Sequence, residues 1–398
     1  MDTLTIGERI RHRRLLRGWS VRHAASRAGV SHATWSRIER GRQAADNRFV
    51  LADIAAALEC STIELAGLQV PAGDRDALAA HAGVHAIHQA LIDTDLEEPS
   101  GRPAPAVQEL TRSVDLVETL RRACDYAATA RVLPSLLRDL HALADDPAQR
   151  QVAQRLLCHV MFMASGTVRN LGHPAEAWLT AERCREAAAA TEDPVLIGYA
   201  EYARATAALS CDAFQRSLTI AGRAADALRP HLGEPGALEV VGTLQLVCAH
   251  SSRGLKKADD SRAWTAEAGE LAARTGESPA LGLTFGPTNV DIWRIGMEVD
   301  GGDPGIAAEI AGRTNPAVLP FGCRQVFYYA DAGRALAALK GRDREAIRYL
   351  LTAERVAPQH VHTSATAQET VRSLLERARR EAGGAELRGL CERMQVAV

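Results

Sequence analysis

A loop signature that returns at nearly constant spacing constrains this chain more than any other feature. Gly172-His173-Pro174-Ala175-Glu176-Ala177, Gly302-Asp303-Pro304-Gly305-Ile306-Ala307 and Gly341-Arg342-Asp343-Arg344-Glu345-Ala346 each set a turn five residues ahead of an alanine. Weaker equivalents begin near Ala213 and Ala258, so starts at 172, about 214, 258, 302 and 341 lie 39–44 residues apart. Such a period predicts stacked helical hairpins, each burying its apolar face on its neighbours. Composition points the same way: aromatics are only 4% of the 398 residues, and an Ala-, Leu-, Arg- and Glu-rich chain favours helix over strand. A chain of this length exceeds what one core serves, so more than one domain is expected. The predicted class is all-α.

Charge is distributed unevenly. Residues 1–48 hold eleven arginines and no lysine against Asp2, Glu8, Glu39 and Asp46, a net of +7, while the other 350 residues carry −9. A small basic head on a larger acidic body suits a nucleic-acid contact surface joined to a separate sensing or assembly module. No run approaches 18 apolar residues and the N-terminus has no apolar signal region, so neither a membrane span nor a secretory leader is expected. A cytoplasmic location follows as the expectation. The eight cysteines stand singly with no Cys-x-x-Cys pair, the pattern of reduced core thiols.

Within the head, Ile6, Ile10 and Leu15 or Leu16 mark a first helix that Gly18 ends. Ser20 caps a second helix with Val21, Ala24 and Ala25 inward, and Gly29-Val30 makes a tight turn. Ser31 caps a third, with Trp35 and Ile38 inward and Gly41 after it. Helices near Arg48–Glu59 and Ser61–Gly67 close the bundle around Phe49, Leu51, Ile54, Leu58, Ile63 and Leu65. Two helices joined at Gly-Val-Ser, the second short and polar outside, predict a helix-turn-helix. The run Ile6-Gly7-Glu8-Arg9-Ile10-Arg11 through Gly18-Trp19-Ser20 to Gly29-Val30-Ser31-His32-Ala33-Thr34-Trp35-Ser36-Arg37-Ile38-Glu39-Arg40-Gly41 closely resembles the xenobiotic-response-element (Cro/repressor-like) family.

That resemblance implies a recognition helix over Ser31–Arg40. It places base-edge contacts at His32, Ala33, Ser36 and Arg37, and backbone contacts near Thr34, Arg40 and Arg42. The chemistry agrees, since Arg37 can pair with guanine O6 and N7 and Ala33 can pack on a thymine methyl. Arg9, Arg13, Arg22 and Arg42 are placed to neutralise phosphates without reading sequence. Val21 departs from the pattern: many relatives carry a glutamine there that braces the recognition helix. Glu39 is expected to be structural, tied to the Arg9 or Arg11 region.

The expected division is a head over 1–70, a joining helix and acidic, proline-rich linker over 71–106, and a helical solenoid over 107–398. Pro71-Ala72-Gly73-Asp74 punctuates the end of the head, and Asp93 to Pro105 reads as an exposed, semi-extended linker. His81, His85 and His88 fall on one helix face, leaving two readings open: part of a zinc site, or a stripe of partly buried histidines.

In the body, Tyr329-Ala330-Asp331-Ala332-Gly333-Arg334-Ala335-Leu336, Gly341-Arg342-Asp343 and Ala346 to Glu354, followed by Pro358, resemble the tetratricopeptide repeat, with closing helices near Ala365–Glu381 and Ala385–Met394. The whole architecture is similar to regulators common in high-GC actinobacteria and to the peptide-sensing quorum regulators of Gram-positive bacteria. That similarity implies a transcription regulator acting as a homodimer on a double-stranded DNA operator, its solenoid binding a small molecule or peptide. The candidate effector residues are Asn289, Trp293, Arg294 and Tyr328. Gly286-Pro287 bends the chain ahead of them, and the alternative is a capping Thr288 or Asn289 with a core tryptophan. A DNA-localised interaction scaffold without a small effector is the rival function. No Walker loop, Gly-x-Ser-x-Gly, His-Glu-x-x-His or metal-spaced Cys/His cluster occurs, so neither an enzyme nor a cofactor is expected.

Overall fold

The computed structural model describes residues 4–67, 75–94, 98–380, 384–394 and 396. Among them the regular elements are helices, and one isolated bridge joins Ser278 to Phe285. The fold is all-α, a small helical head followed by helical repeats, as the sequence predicts. Pro71–Asp74 and Asp95–Glu97 of the expected linker lie outside the described residues. The stretch after them is tethered: the Ser100 hydroxyl donates to Asp145 Oδ2 at 2.6 Å.

The head comprises α1 (Ile6–Leu16), α2 (Val21–Arg27), α3 (His32–Glu39), α4 (Arg48–Ala57) and α5 (Thr62–Ala66). Ser20 and Ser31 cap α2 and α3 as expected, accepting from the amides of His23 and Thr34, which satisfies donors the helices cannot pair themselves. Ile10, Trp35, Ile54, Leu58 and Leu65 form a core that excludes solvent. One expectation fails. Leu15 and Leu16 are 56% and 72% exposed, and the third member of the first stripe is Arg14, buried one turn beyond Ile10. Positions 6, 10 and 14 keep the four-residue step of a helix face, and Arg14 tolerates burial because it is paired.

The repeats are helical pairs. They run α7 (Val107–Arg122) with α8 (Tyr126–Ala144), α9 (Arg150–Asn170) with α10 (Pro174–Ala189), and α11 (Pro194–Ser210) with α12 (Phe214–Leu228). Next come α13 (Ala237–Gly254) with α14 (Ala258–Thr275), α15 (Pro287–Asp300) with α16 (Pro304–Arg313), and α17 (Gly322–Ala337) with α18 (Asp343–Val356). The starts near 172, 214, 258, 302 and 341 mark the second helix of each pair after the first. Two residues before every second helix the backbone turns left-handed, at Cys124 (φ 60°), Gly172 (85°), Asp212 (58°), Lys256 (64°), Gly302 (91°) and Gly341 (78°). This register adds α7–α8 to the series, a pair hidden in the sequence because Cys124 stands where other turns have glycine. The odd-numbered helices α7, α9, α11 and α13 also meet next-but-one and make one continuous layer, backed by α8, α10, α12 and α14. A joining helix, α6 (Arg75–Ile92), packs on α8, where Gly83 lies so close to Ala130 that a Cβ would come within 2.4 Å of its methyl.

The chain forms two compact units: 72–294 with 314–325, and the head with 295–313 and 326–398. The closing helices α19 (Pro358–Thr363), α20 (Ala365–Arg380) and α21 (Ala385–Arg393) belong to the second of these. There the loop between α3 and α4 is held by charges from far along the chain. Asp300 is fully buried. Its carboxylate accepts from the Arg48 amide at 3.0 Å and from Arg48 Nη1 at 2.8 Å, and it pairs with Arg334. Arg48 and Arg334 both reach Asp331 Oδ1 at 2.8 Å, Asn47 Nδ2 donates to the Asp300 carbonyl at 2.7 Å, and Arg334 also donates to the Asp46 carbonyl. From α20, Thr370 donates to Asp46 Oδ2 at 3.1 Å and Glu369 accepts from the Ala45 amide at 3.2 Å. Burial works against the Asp300 charge, but Arg334 and Arg48 outweigh it and hold the carboxyl at about 2. Asp46 goes the other way, raised chiefly by burial.

Nothing lies within 4 Å of a Cβ built on Gly302 or Gly341, so Gly302→Ala or Gly341→Ala should cost only the left-handed backbone term, about 1–2 kcal/mol, as read by urea titration. Because the Asp300 carboxyl is lowered from 3.8 to about 2, its contribution is complete above the unfolded value and is lost as pH falls from about 5 towards 2, roughly 2 kcal/mol in all. Asp300→Asn should therefore flatten that acid limb and cost about 3–5 kcal/mol at neutral pH. Asp46→Asn should stabilise at neutral pH, since a raised carboxyl penalises the native state as pH rises above its unfolded value of 3.8. Loss of stability in Asp46→Asn would refute this sign.

Candidate nucleic-acid interface

α3 presents two different faces. Trp35, Ile38 and Glu39 are buried, whereas His32, Ala33, Arg37 and Arg40 are exposed and Thr34 is half-buried. The buried face is anchored by an ionic cluster. Arg14 grips the Glu39 carboxylate with Nε at 2.6 Å and Nη2 at 2.9 Å, and its Nη1 donates to the Trp19 carbonyl at 2.7 Å. Trp35 Nε1 donates to the same carboxylate at 2.6 Å. Glu39 is thus structural as expected, but its partner is Arg14 and not the Arg9 or Arg11 region. The fork geometry of a guanidinium on a carboxylate fixes orientation as well as charge, so α1, the Trp19 turn and α3 are locked together.

The outer face is pre-shaped. Arg37 Nε donates to Gln43 Oε1 at 3.0 Å, which leaves most of the Nη edge, the donor pair that matches guanine, turned to solvent. Arg40 folds back on its own helix, Nε to the Ser36 carbonyl at 3.1 Å and Nη2 to the Ser36 hydroxyl. Ser36 itself is buried beneath it. Arg42 and Arg22 are exposed. Arg13 pairs with Glu64 at 3.2 Å, and Arg9 donates to the Leu65 carbonyl at 3.1 Å and to that of Ala66. Val21, where many relatives have glutamine, packs half-buried against the core. Trp19 beside it carries the guanidinium groups of Arg27 at 5.0 Å and Arg17 at 5.8 Å over its ring.

Residues 5–68 form a helix-turn-helix domain. Over that span the chain matches the family described as "Helix-turn-helix domain". A crystal structure of Bacillus thuringiensis PlcR in complex with the peptide PapR7 and DNA is similar at a TM-score of 0.28 and 13% identity, over 69% of this chain and 96% of that one. No curated protein matches the chain. Among the described residues, no helix is long and apolar enough to cross a membrane.

Beyond the helix-turn-helix domain, three of the candidate effector residues, Asn289, Trp293 and Arg294, stand on α15. Asn289 and Trp293 stand one turn apart on α15. Asn289 is 1% exposed, and Asn289 Oδ1 and Trp293 Nε1 are buried with no hydrogen-bond partner among the described residues. Trp293 packs against Leu246, Phe285 and Val290, with the His250 ring at 5.9 Å and the Arg324 guanidinium at 5.8 Å. Asn289 does not cap α15; Glu277 does, accepting from the Thr288 amide at 2.8 Å. Arg294 is occupied by Asp291 at 3.2 Å. Tyr328 belongs to the other unit, where its hydroxyl donates to the Ala311 carbonyl at 2.7 Å. His81 meets His173 at 2.9 Å, and no group of three or more metal-ligating side chains gathers among the described residues.

The outer face of α3 and the turn that follows it generate a contrast between two arginines. Arg37→Ala should cost about 1–3 kcal/mol and relax preference at one base pair, whereas Arg42→Ala should weaken all duplexes alike and reduce the salt slope by about one. Fluorescence anisotropy on matched and mismatched duplexes reads both, and equal loss of discrimination from the two variants would move the reading helix away from α3.

Proposed function

We propose that the protein is a DNA-binding transcription regulator of the xenobiotic-response-element (Cro/repressor-like) type, whose helical body senses a small molecule or peptide and pairs two copies on an operator. The observation that carries this reading is the exposed, arginine-bearing outer face of α3 in a helix-turn-helix domain, with Arg37 already oriented by Gln43. His32, Ala33, Ser36 and Arg37 are the proposed base contacts. Ser36 serves only once Arg40 swings off its hydroxyl towards a phosphate. Arg22, Arg40, Arg42 and Thr34 suit the backbone; Arg9 and Arg13 serve it only by giving up their partners within the domain.

The sensing part rests on α15. Buried polar groups without partners are rare in native proteins and cluster where function retains them, and Asn289 and Trp293 supply two side by side. The same helix ends at Asp300, which holds the loop following α3. A ligand that prefers one placement of α15 can therefore act on the helix-turn-helix domain, with typical coupling of about 1–3 kcal/mol.

Selection of bound duplexes from a random pool, with light scattering of the complex, tests the reading. One domain of this size covers too few base pairs for tight specific binding, so the expected product is an inverted repeat with half-sites about one helical turn apart, occupied by a dimer. A monomer on its selected duplex would remove the pairing, and failure to enrich any sequence would remove the regulator.

A further inference from the structure

We infer that the layer formed by α7, α9, α11 and α13 holds a binding site for a small organic anion, a carboxylate or phosphate carried on an aromatic or apolar body, with Arg169 as its principal cation. This deepens the sensing reading above by naming the ligand class and its place, and rests on that reading only for its regulatory consequence.

Arg169 differs from several arginines that are withdrawn from solvent and paired with carboxylates: Arg14 with Glu39, Arg204 with Glu182 and Glu201, Arg334 with Asp300 and Asp331, Arg372 with Glu369. In Arg9 and Arg169 burial outweighs the neighbouring charges and the basicity falls, whereas in Arg204, Arg334 and Arg372 the paired carboxylates outweigh burial. Arg9 has the carbonyls of Leu65 and Ala66. Arg169, half-buried at the end of α9, has neither an ion pair nor a side-chain hydrogen bond among the described residues. A cation taken from water without compensation is unfavourable, and a site awaiting an anion is the arrangement in which that cost is recovered on binding.

Its surroundings fit the same ligand. Tyr126, Tyr202, Arg121 and Cys323 are near enough to act on its charge. Arg121 does not neutralise the region, because Glu118 is shared: it accepts from Arg121 at 2.8 Å and from Arg122 at 2.6 Å. Two arginines thus share that one carboxylate, and Arg169 lies close enough to Arg121 for their charges to repel. Neutral donors stand beside them, with Asn170 Nδ2 on the Tyr126 hydroxyl at 3.2 Å. Next along the layer is an aromatic wall in which Phe162 stacks on Tyr199 at 4.1 Å, with Tyr202 at 6.0 Å and the His159 ring 5.4 Å from Tyr199. His159 is itself held below its usual range by burial, so at neutral pH it adds a polar ring and no charge. Paired guanidinium donors for an anion and ring faces for its body describe an aryl or acyl anion better than a bare inorganic ion.

The test is thermal shift of the full chain in benzoate, phenyl phosphate and neutral benzamide at constant ionic strength, on the parent and on Arg169→Met. Benzoate or phenyl phosphate should raise the parent melting temperature by several degrees, benzamide should not, and Arg169→Met should abolish the rise. Ligand-free Arg169→Met should melt at or above the parent, which an arginine with a structural role would not allow. Arg169→Gln, smaller and still polar, makes the same comparison if the methionine variant does not fold. Equal shifts in parent and variants, or no shift with either anion, overturn the site. No DNA is present in this measurement. Anion binding in a protein that selects no duplex would defeat only the regulator, and an anion-blind protein that selects an inverted repeat would defeat only the site.

Discussion

Asp300 is the residue on which the placement of the helix-turn-helix domain depends. It lies at the C-terminal end of α15, a poor location for a carboxylate because the helix carbonyls already carry partial negative charge there. It is also removed from solvent. Two arginines and a backbone amide reverse that preference. The bonded partners span the loop after α3 and the first residue of α4, so the carboxylate acts on the segment that leaves the recognition helix. Replacing one member leaves a buried charge without its partner, the situation in which an ion pair is most costly to break.

Around that tie the repeats share one register. Each second helix begins two residues after a left-handed residue, whether the side chain there is glycine, aspartate, lysine or cysteine. The turn geometry is therefore set by how consecutive helices pack, and the local sequence accommodates it at a cost where glycine is missing. This explains why five starts were visible and the sixth was not. Gly172, Gly302 and Gly341 announce the turn; Cys124 satisfies the same geometry with a residue that reads as core.

Most of the domain's architecture was legible for the same reason that its helices are short: capping serines at 20 and 31 and glycines at 18, 29 and 41 are local signals. What was illegible depends on distant partners. Arg14 reads as a surface charge until Glu39 and Trp35 close on it, and the adjacent leucines then turn outward. Arg40 reads as a phosphate contact, yet in this state it covers Ser36. Asn289 looks like a cap beside Pro287, because nothing nearby in sequence reveals that Glu277 has taken that role. Asp331 and Arg334 sit in a repeat-like stretch where small residues draw attention, and their engagement of Arg48 and Asp46 spans nearly the whole chain.

Charge ties these observations together. Residues 49–398 carry a net −9, and carboxylates from that stretch pair with Arg48, Arg204, Arg334 and Arg372. The layer around Arg169 departs from the pattern: Arg121 and Arg122 share Glu118, Arg169 has no carboxylate partner among the described residues, and the neighbouring groups are phenols, an amide and neutral rings. A chain with acidic residues in surplus could have placed one there. An uncompensated cation in a partly desolvated layer lowers the stability of the free protein, and such a cost is kept where activity requires it. The Asp300 network and the Arg169 layer are then two uses of one chemistry. In the first, the chain supplies the anion itself and a helix-turn-helix domain is held in place. In the second, the anion is left to come from outside.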